Sequence, residues 1–132
     1  MIKIQNLTLD SKNFVDAFSK LCKVTEVSLE TLMKVMKIRR QLVDYSKDMN
    51  EVKIKIITKY AEKTPEGNPK RLMNGDFDVS DNNIPLLESE LKPFLELALE
   101  INDVDKIPIK EFNRVKFNAE ELCALDDIID FT

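Results

Sequence analysis

From Leu29 to about Glu62 the chain contains neither Pro nor Gly. Val35, Ile38, Leu42, Tyr45, Met49, Val52 and Ile56 recur there in an unbroken alternation of three- and four-residue steps. That alternation is a heptad seam, and it predicts one long helix over about 28–62 with Ser28 as its cap. At ~1.5 Å per residue such a helix is roughly 50 Å long. Leu32, Met36, Val43 and Ile57 widen the apolar stripe, which suits packing against neighbours in the same chain better than a strict two-stranded coil. Homo-oligomer formation through the Val35–Ile56 seam is the alternative. The opposite face carries the i,i+4 pairs Arg40/Asp44, Lys47/Glu51 and Glu51/Lys55, the usual composition of a solvated helix face.

The remaining elements are shorter. Met1 to Ile4 alternates as a strand does. Asp10 or Ser11 caps a helix whose Phe14, Phe18, Leu21 and Cys22 share a face. Thr64-Pro65-Glu66-Gly67-Asn68-Pro69 ends the long helix, and Asn74-Gly75 predicts a small β-hairpin at about 70–80. Pro85 suits the first turn of a third helix, with Leu87, Leu91, Phe94, Leu95 and Ala98 as its apolar face; Pro93 should kink or restart it. Ile107-Pro108-Ile109 is an edge strand expected beside Met1 to Ile4. Asn118 and Glu121 resemble a capping box at the start of a last helix, along which Leu122, Leu125 and Ile129 repeat. No internal repeat stands out. The expected fold is mainly α with a minor α+β character: a long central helix packed by three shorter ones, a small hairpin and a short strand pair. It is expected as a single domain over 1–132, with an acidic helical C-terminal part over 84–132.

Composition narrows the chemistry. The 132 residues include no His and no Trp, and only 2 Gly and 2 Cys. Without His, the commonest general base and metal ligand is missing, and Ser/His or Cys/His nucleophilic catalysis cannot be assembled. Two glycines cannot form a phosphate-cradling loop or a dinucleotide fingerprint. Cys22 and Cys123 fit no zinc spacing and read as small buried hydrophobes. Asp76-x-Asp78-x-Ser80 begins like a calcium loop, but Asp81 stands where that loop needs Gly and Leu87 where it needs Glu. No cofactor, metal or catalytic residue is therefore expected, with a carboxylate- and magnesium-dependent nuclease as the residual enzymatic alternative. No segment approaches the ~20 apolar residues of a membrane span, and Met1-Ile2-Lys3-Ile4-Gln5-Asn6 is no signal peptide. The protein is expected to be made and used inside a cell, or packaged from there.

The net charge of −4 conceals an asymmetry. Residues 1–75 carry 15 Lys/Arg against 9 Asp/Glu, and residues 76–132 carry 5 against 15. Opposite halves can attract one another within the fold, or one sign can face a charged partner and steer its approach. Two clusters are candidate partner sites. Lys34, Lys37, Arg39 and Arg40 could meet phosphates or an acidic protein; Glu120, Glu121, Asp126 and Asp127 could occupy a basic surface.

Several phrases, in order, resemble a family of small proteins of unknown function from tailed phages of low-GC Gram-positive bacteria. They are Met1-Ile2-Lys3-Ile4-Gln5-Asn6-Leu7, Lys59-Tyr60-Ala61-Glu62-Lys63, Pro65-Glu66-Gly67-Asn68, Ile107-Pro108-Ile109-Lys110 and Asn118-Ala119-Glu120-Glu121-Leu122-Cys123-Ala124-Leu125. The resemblance spans nearly the whole chain; Pro93 and Cys123 depart from the family pattern. It implies a phage gene product with a mostly helical fold, and it carries over no catalytic or binding residues. The resulting expectation is a non-enzymatic protein-interaction protein, a virion-assembly or tail-associated adaptor. The alternatives are an inhibitor of a host defence or host machine that binds through the acidic C-terminal half, and a nucleic-acid binder that uses the basic cluster.

Overall fold

The computed structural model describes all 132 residues. The order of elements is β1 (Ile2–Gln5), α1 (Asn6–Leu9), α2 (Lys12–Cys22), α3 (Leu29–Tyr60), α4 (Ile84–Glu96), β2 (Ala98–Ile101), β3 (Ile107–Pro108), a 3-10 turn (Ile109–Phe112), α5 (Ala119–Ala124) and β4 (Ile129–Asp130). The chain is mainly α, with a long central helix, shorter helices and small β elements, as its periodicity predicts. Two compact units arise: Met1–Ser46 with Ala98–Thr132, and Lys47–Leu97.

The first unit is built around an apolar core. In β1, Ile2 and Ile4 are buried while Lys3 and Gln5 face out, the period-two alternation of a half-buried strand. Its partner is β2, antiparallel, in a register that sets Ile2 opposite Ile101 and Lys3 opposite Glu100. This corrects the expected pairing with Ile107-Pro108-Ile109, which instead runs parallel to β4 with Ile107 opposite Ile129. It also removes Ala98 from the face of the third helix. Pro93 lies inside α4, the helix stops at Glu96, and Leu97 is already extended. In α2, Ser11 Oγ accepts the Phe14 N–H at 3.2 Å, and Phe14, Ala17 and Leu21 are buried. Both cysteines are exposed, contrary to expectation. Cys22 is one residue beyond Leu21, so ~100° of helical rotation carries it off the buried face.

Within this unit α3 begins at Ser28, whose Oγ accepts the Thr31 N–H at 3.2 Å. Val35, Ile38 and Leu42 are buried, and Tyr45 donates from its hydroxyl to Oδ1 of the buried Asn6 at 2.6 Å. The rest of the core comes from Val104, Phe112, Leu125, Ile128 and Ile129. The seam is thus an internal contact along this stretch. Met36 and Val43, expected to widen it, are exposed.

The second unit contains a repeat that residue identities conceal. Beyond α3, Glu62, Lys70 and Asp78 follow one another at eight-residue intervals, and each is followed by a turn that closes through an i→i+3 hydrogen bond. Gly67 N–H donates to Thr64 O at 2.8 Å, Gly75 N–H to Leu72 O at 3.0 Å, and Asn83 N–H to Ser80 O at 2.9 Å. The three segments close on themselves. Glu62 N–H donates to Asp78 O at 2.7 Å, Asp78 N–H to Lys70 O at 2.8 Å, and Lys70 N–H to Glu62 O at 2.7 Å. Antiparallel bridges Ala61–Val79, Lys63–Pro69 and Arg71–Phe77 join all three pairs. The hairpin predicted at 70–80 is therefore two sides of a three-sided ring, and the expectation of no internal repeat is corrected. Gly67 and Gly75 take φ of +86° and +91°, which only glycine adopts without strain. Asn83 Nδ2 donates to Tyr60 O at 3.3 Å, and Lys59 pairs with Glu90 at 3.0 Å, so α4 is tied to the end of α3.

Candidate functional site

An exposed apolar line lies on α3. Leu29, Met33, Met36 and Val43 are 74%, 52%, 52% and 59% exposed, and with Arg40 between them they follow four-three spacing. The same periodicity that writes the buried seam therefore writes a second, outward line, rotated around the helix. Met36, Arg39, Arg40, Val43 and Asp44 bound an open groove of about 390 Å³. Lys37, Arg39 and Arg40 are exposed and form no ion pair. Lys34 belongs elsewhere: its ammonium is 3.8 Å from Glu30, and five residues of helix turn it ~140° away from Arg39. Of the four predicted basic residues, Lys37 and Arg39 thus flank the outward line, Arg40 stands within it, and Lys34 does neither. Arg39 also acts on Cys22, whose thiol, exposed yet partly desolvated by its neighbours, is pushed above its ordinary value and partly drawn back by that guanidinium.

The acidic cluster divides in the same way. Glu121 is 3% exposed. Its N–H donates to Asn118 Oδ1 at 2.8 Å and its carboxylate accepts the Asn118 N–H at 3.1 Å, which completes the predicted capping box. Lys20 Nζ reaches the same carboxylate from α2 at 2.7 Å. The Lys20 hydrogen bond, followed by that of the Asn118 backbone, holds the Glu121 carboxyl below its ordinary value. Glu121 is a tie between α5 and α2, with no free face to offer a partner. Glu120 and Asp126 remain exposed, and Asp127 is half-buried. These three border an open pocket of about 460 Å³ together with Leu7, Thr8 and Ser11. Burial, then the neighbouring Asp126, raises the Asp127 carboxyl.

One polar arrangement was not foreseen. Ser28 Oγ and Thr31 Oγ1 donate to Glu111 Oε1 at 2.9 and 3.2 Å, which clamps the start of α3 to the 3-10 turn and lowers the Glu111 carboxyl, the Ser28 bond acting most. Eighty-three residues separate Ser28 from Glu111, and no local pattern announces such a pair. The acids of the calcium-like phrase serve the ring: Asp78 lies 3.9 Å from Lys70, and Asp76 accepts from Asn74 at 3.1 Å. No group of three or more His, Cys, Asp or Glu side chains is placed to hold a metal ion. No helix is long and apolar enough to cross a membrane. No family model matches the chain, and neither a curated protein nor a solved structure is detectably similar to it.

Proposed function

We propose that the protein is a non-enzymatic protein-interaction protein of a tailed phage, acting as a virion-assembly or tail-associated adaptor through the outward line of α3. The observation that carries the interaction reading is the exposure of Leu29, Met33, Met36 and Val43 at helical contact spacing on an element whose other face is already buried. Single exposed apolar residues are ordinary, but four on one helix at contact spacing, interrupted only by Arg40, make a contact surface in waiting. The phage setting rests on the ordered sequence phrases from Met1 to Leu125. The test is mass spectrometry of purified particles from cells expressing the wild type or a Met36→Asp/Val43→Asp variant. The wild type should be present and the variant depleted; absence of both from particles removes the adaptor reading.

A second reading, an inhibitor of a host defence or host machine, draws support from Glu120, Asp126 and Asp127 around one open pocket. It predicts salt-sensitive capture of a host protein that is lost on Glu120→Gln/Asp126→Asn/Asp127→Asn. Glu121 stays intact in that variant because it anchors α5. Capture that survives neutralisation ends this reading.

A further inference from the structure

We infer that the outward line of α3 takes an acidic amphipathic helix of another protein. The inference rests on the interaction reading of that face and names its occupant. Leu29 to Val43 spans about 21 Å, four turns, and its four-three spacing is the spacing at which one helix receives the side chains of another. Recognition of an amphipathic helix by anchors at i, i+3 or i+4, and i+7 uses this geometry. Met33 and Met36 are unbranched and adaptable, which suits a surface that must fit an incoming side chain.

Charge selects the partner. Lys37 and Arg39 lie on either side of the line and Arg40 within it, all free of ion pairs, while Asp44 is the one acid in the groove. A partner with carboxylates beside its apolar face would satisfy these cations, and each guanidinium can grip a carboxylate with two parallel N–H bonds. Two other occupants fit less well. Nucleic acid would use the cations but leave Leu29, Met33, Met36 and Val43 facing water, since phosphate contacts need no apolar line. A second copy joined about a two-fold axis would present the same patch to itself, bringing Arg39 and Arg40 of both chains into one interface.

The test uses the full chain and two designed peptides of about 18 residues, enough for the four turns of the line. Both carry Leu at four-three spacing; one has Glu at the flanking positions and the other Lys. Fluorescence anisotropy at low salt should show the Glu peptide binding roughly tenfold or more tighter than the Lys peptide, with the gap narrowing as salt rises. Arg39→Glu/Arg40→Glu should reverse that preference. Met36→Asp/Val43→Asp should abolish binding of both, with an unchanged circular dichroism melt showing that the fold is kept. Equal affinity for the two peptides, or no binding of either, overturns the inference. So does tighter binding of a short DNA duplex that Arg39→Glu/Arg40→Glu removes, or a dimer in sedimentation that Met36→Asp dissolves. Failure here is separable from failure of the adaptor reading. Particle association that needs Met36 and Val43 but survives Arg39→Glu/Arg40→Glu would leave the adaptor standing and remove the acidic helix.

Discussion

The two units are stabilised in different ways. In the first, Ile2, Ile4, Ile38, Ile101, Ile107, Leu125, Ile128 and Ile129 are all but sealed from water, and each such side chain contributes roughly 1.5–3 kcal/mol. In the second, the buried apolar residues are Met49, Ala61 and Phe94, whereas Val52, Ile54, Leu72, Ile84, Leu86 and Leu97 are exposed. What closes the second unit after α3 is a circuit of three backbone hydrogen bonds among Glu62, Lys70 and Asp78, with turns shaped by Gly67 and Gly75. Such bonds contribute only about 0.5–1.5 kcal/mol each, because water competes for the same groups. Apolar content along the chain is therefore a poor guide to where stability resides. Burial supplies it in one unit and backbone geometry supplies it in the other.

The difference can be broken most directly by truncation. Phe112→Ala should cost about 3–5 kcal/mol in denaturant unfolding, whereas Leu86→Ala should stay within about 0.5 kcal/mol. Equal losses would dissolve the contrast. Native-state hydrogen exchange sharpens it: the amides of β1 and β2 should open only with global unfolding, and those of Glu62, Lys70 and Asp78 should exchange by local opening. Gly67→Ala and Gly75→Ala should each cost about 1–2 kcal/mol, read as a lowered melting temperature, because nothing lies within 4 Å of either added Cβ and only the positive φ resists it. Similar losses at both would show that the two turns act as copies of one unit. Asn118→Ala should cost about 1 kcal/mol by loss of the α5 cap.

The smallest effect is the pH dependence that two carboxyls of the first unit contribute. Glu111 and Glu121 both have folded-state carboxyls held below the ordinary value of 4.5. Their stabilisation is therefore complete above about pH 4.5 and is lost as pH falls through the lower folded values. Thermal melts across acid pH should be flatter for Glu121→Gln than for the wild type. A parallel slope would mean that the Lys20 tie contributes nothing.

Much of the fold was legible because its signals are local. Ser28 and Ser11 cap the helices they precede, Asn74-Gly75 makes the predicted turn, and Asn118 and Glu121 form the predicted capping box. The ring was hidden because its repeats share turn geometry and an eight-residue step while sharing almost no side chains. The candidate site was half legible. Lys37, Arg39 and Arg40 lie on or beside it as their density in the chain suggests, but Lys34 turns away and Glu121 is withdrawn into a tie with Lys20.

The amino-acid sequence alone determined that α3 exists, where it begins, and that apolar residues recur along it at heptad steps. It also excluded histidine chemistry and glycine-rich phosphate loops. Only the tertiary structure decided that the seam of Val35, Ile38 and Leu42 packs inside the chain and that Met36 and Val43, expected to widen it, face water. Periodicity states which residues share a side of a helix, and it cannot state which side will meet a neighbour. The same limit governs β1, whose alternation was plain but whose pairing with Ala98–Ile101 joins residues almost a hundred positions apart. Such choices depend on which surfaces the folded chain brings together, and no local pattern of polar and apolar residues encodes them.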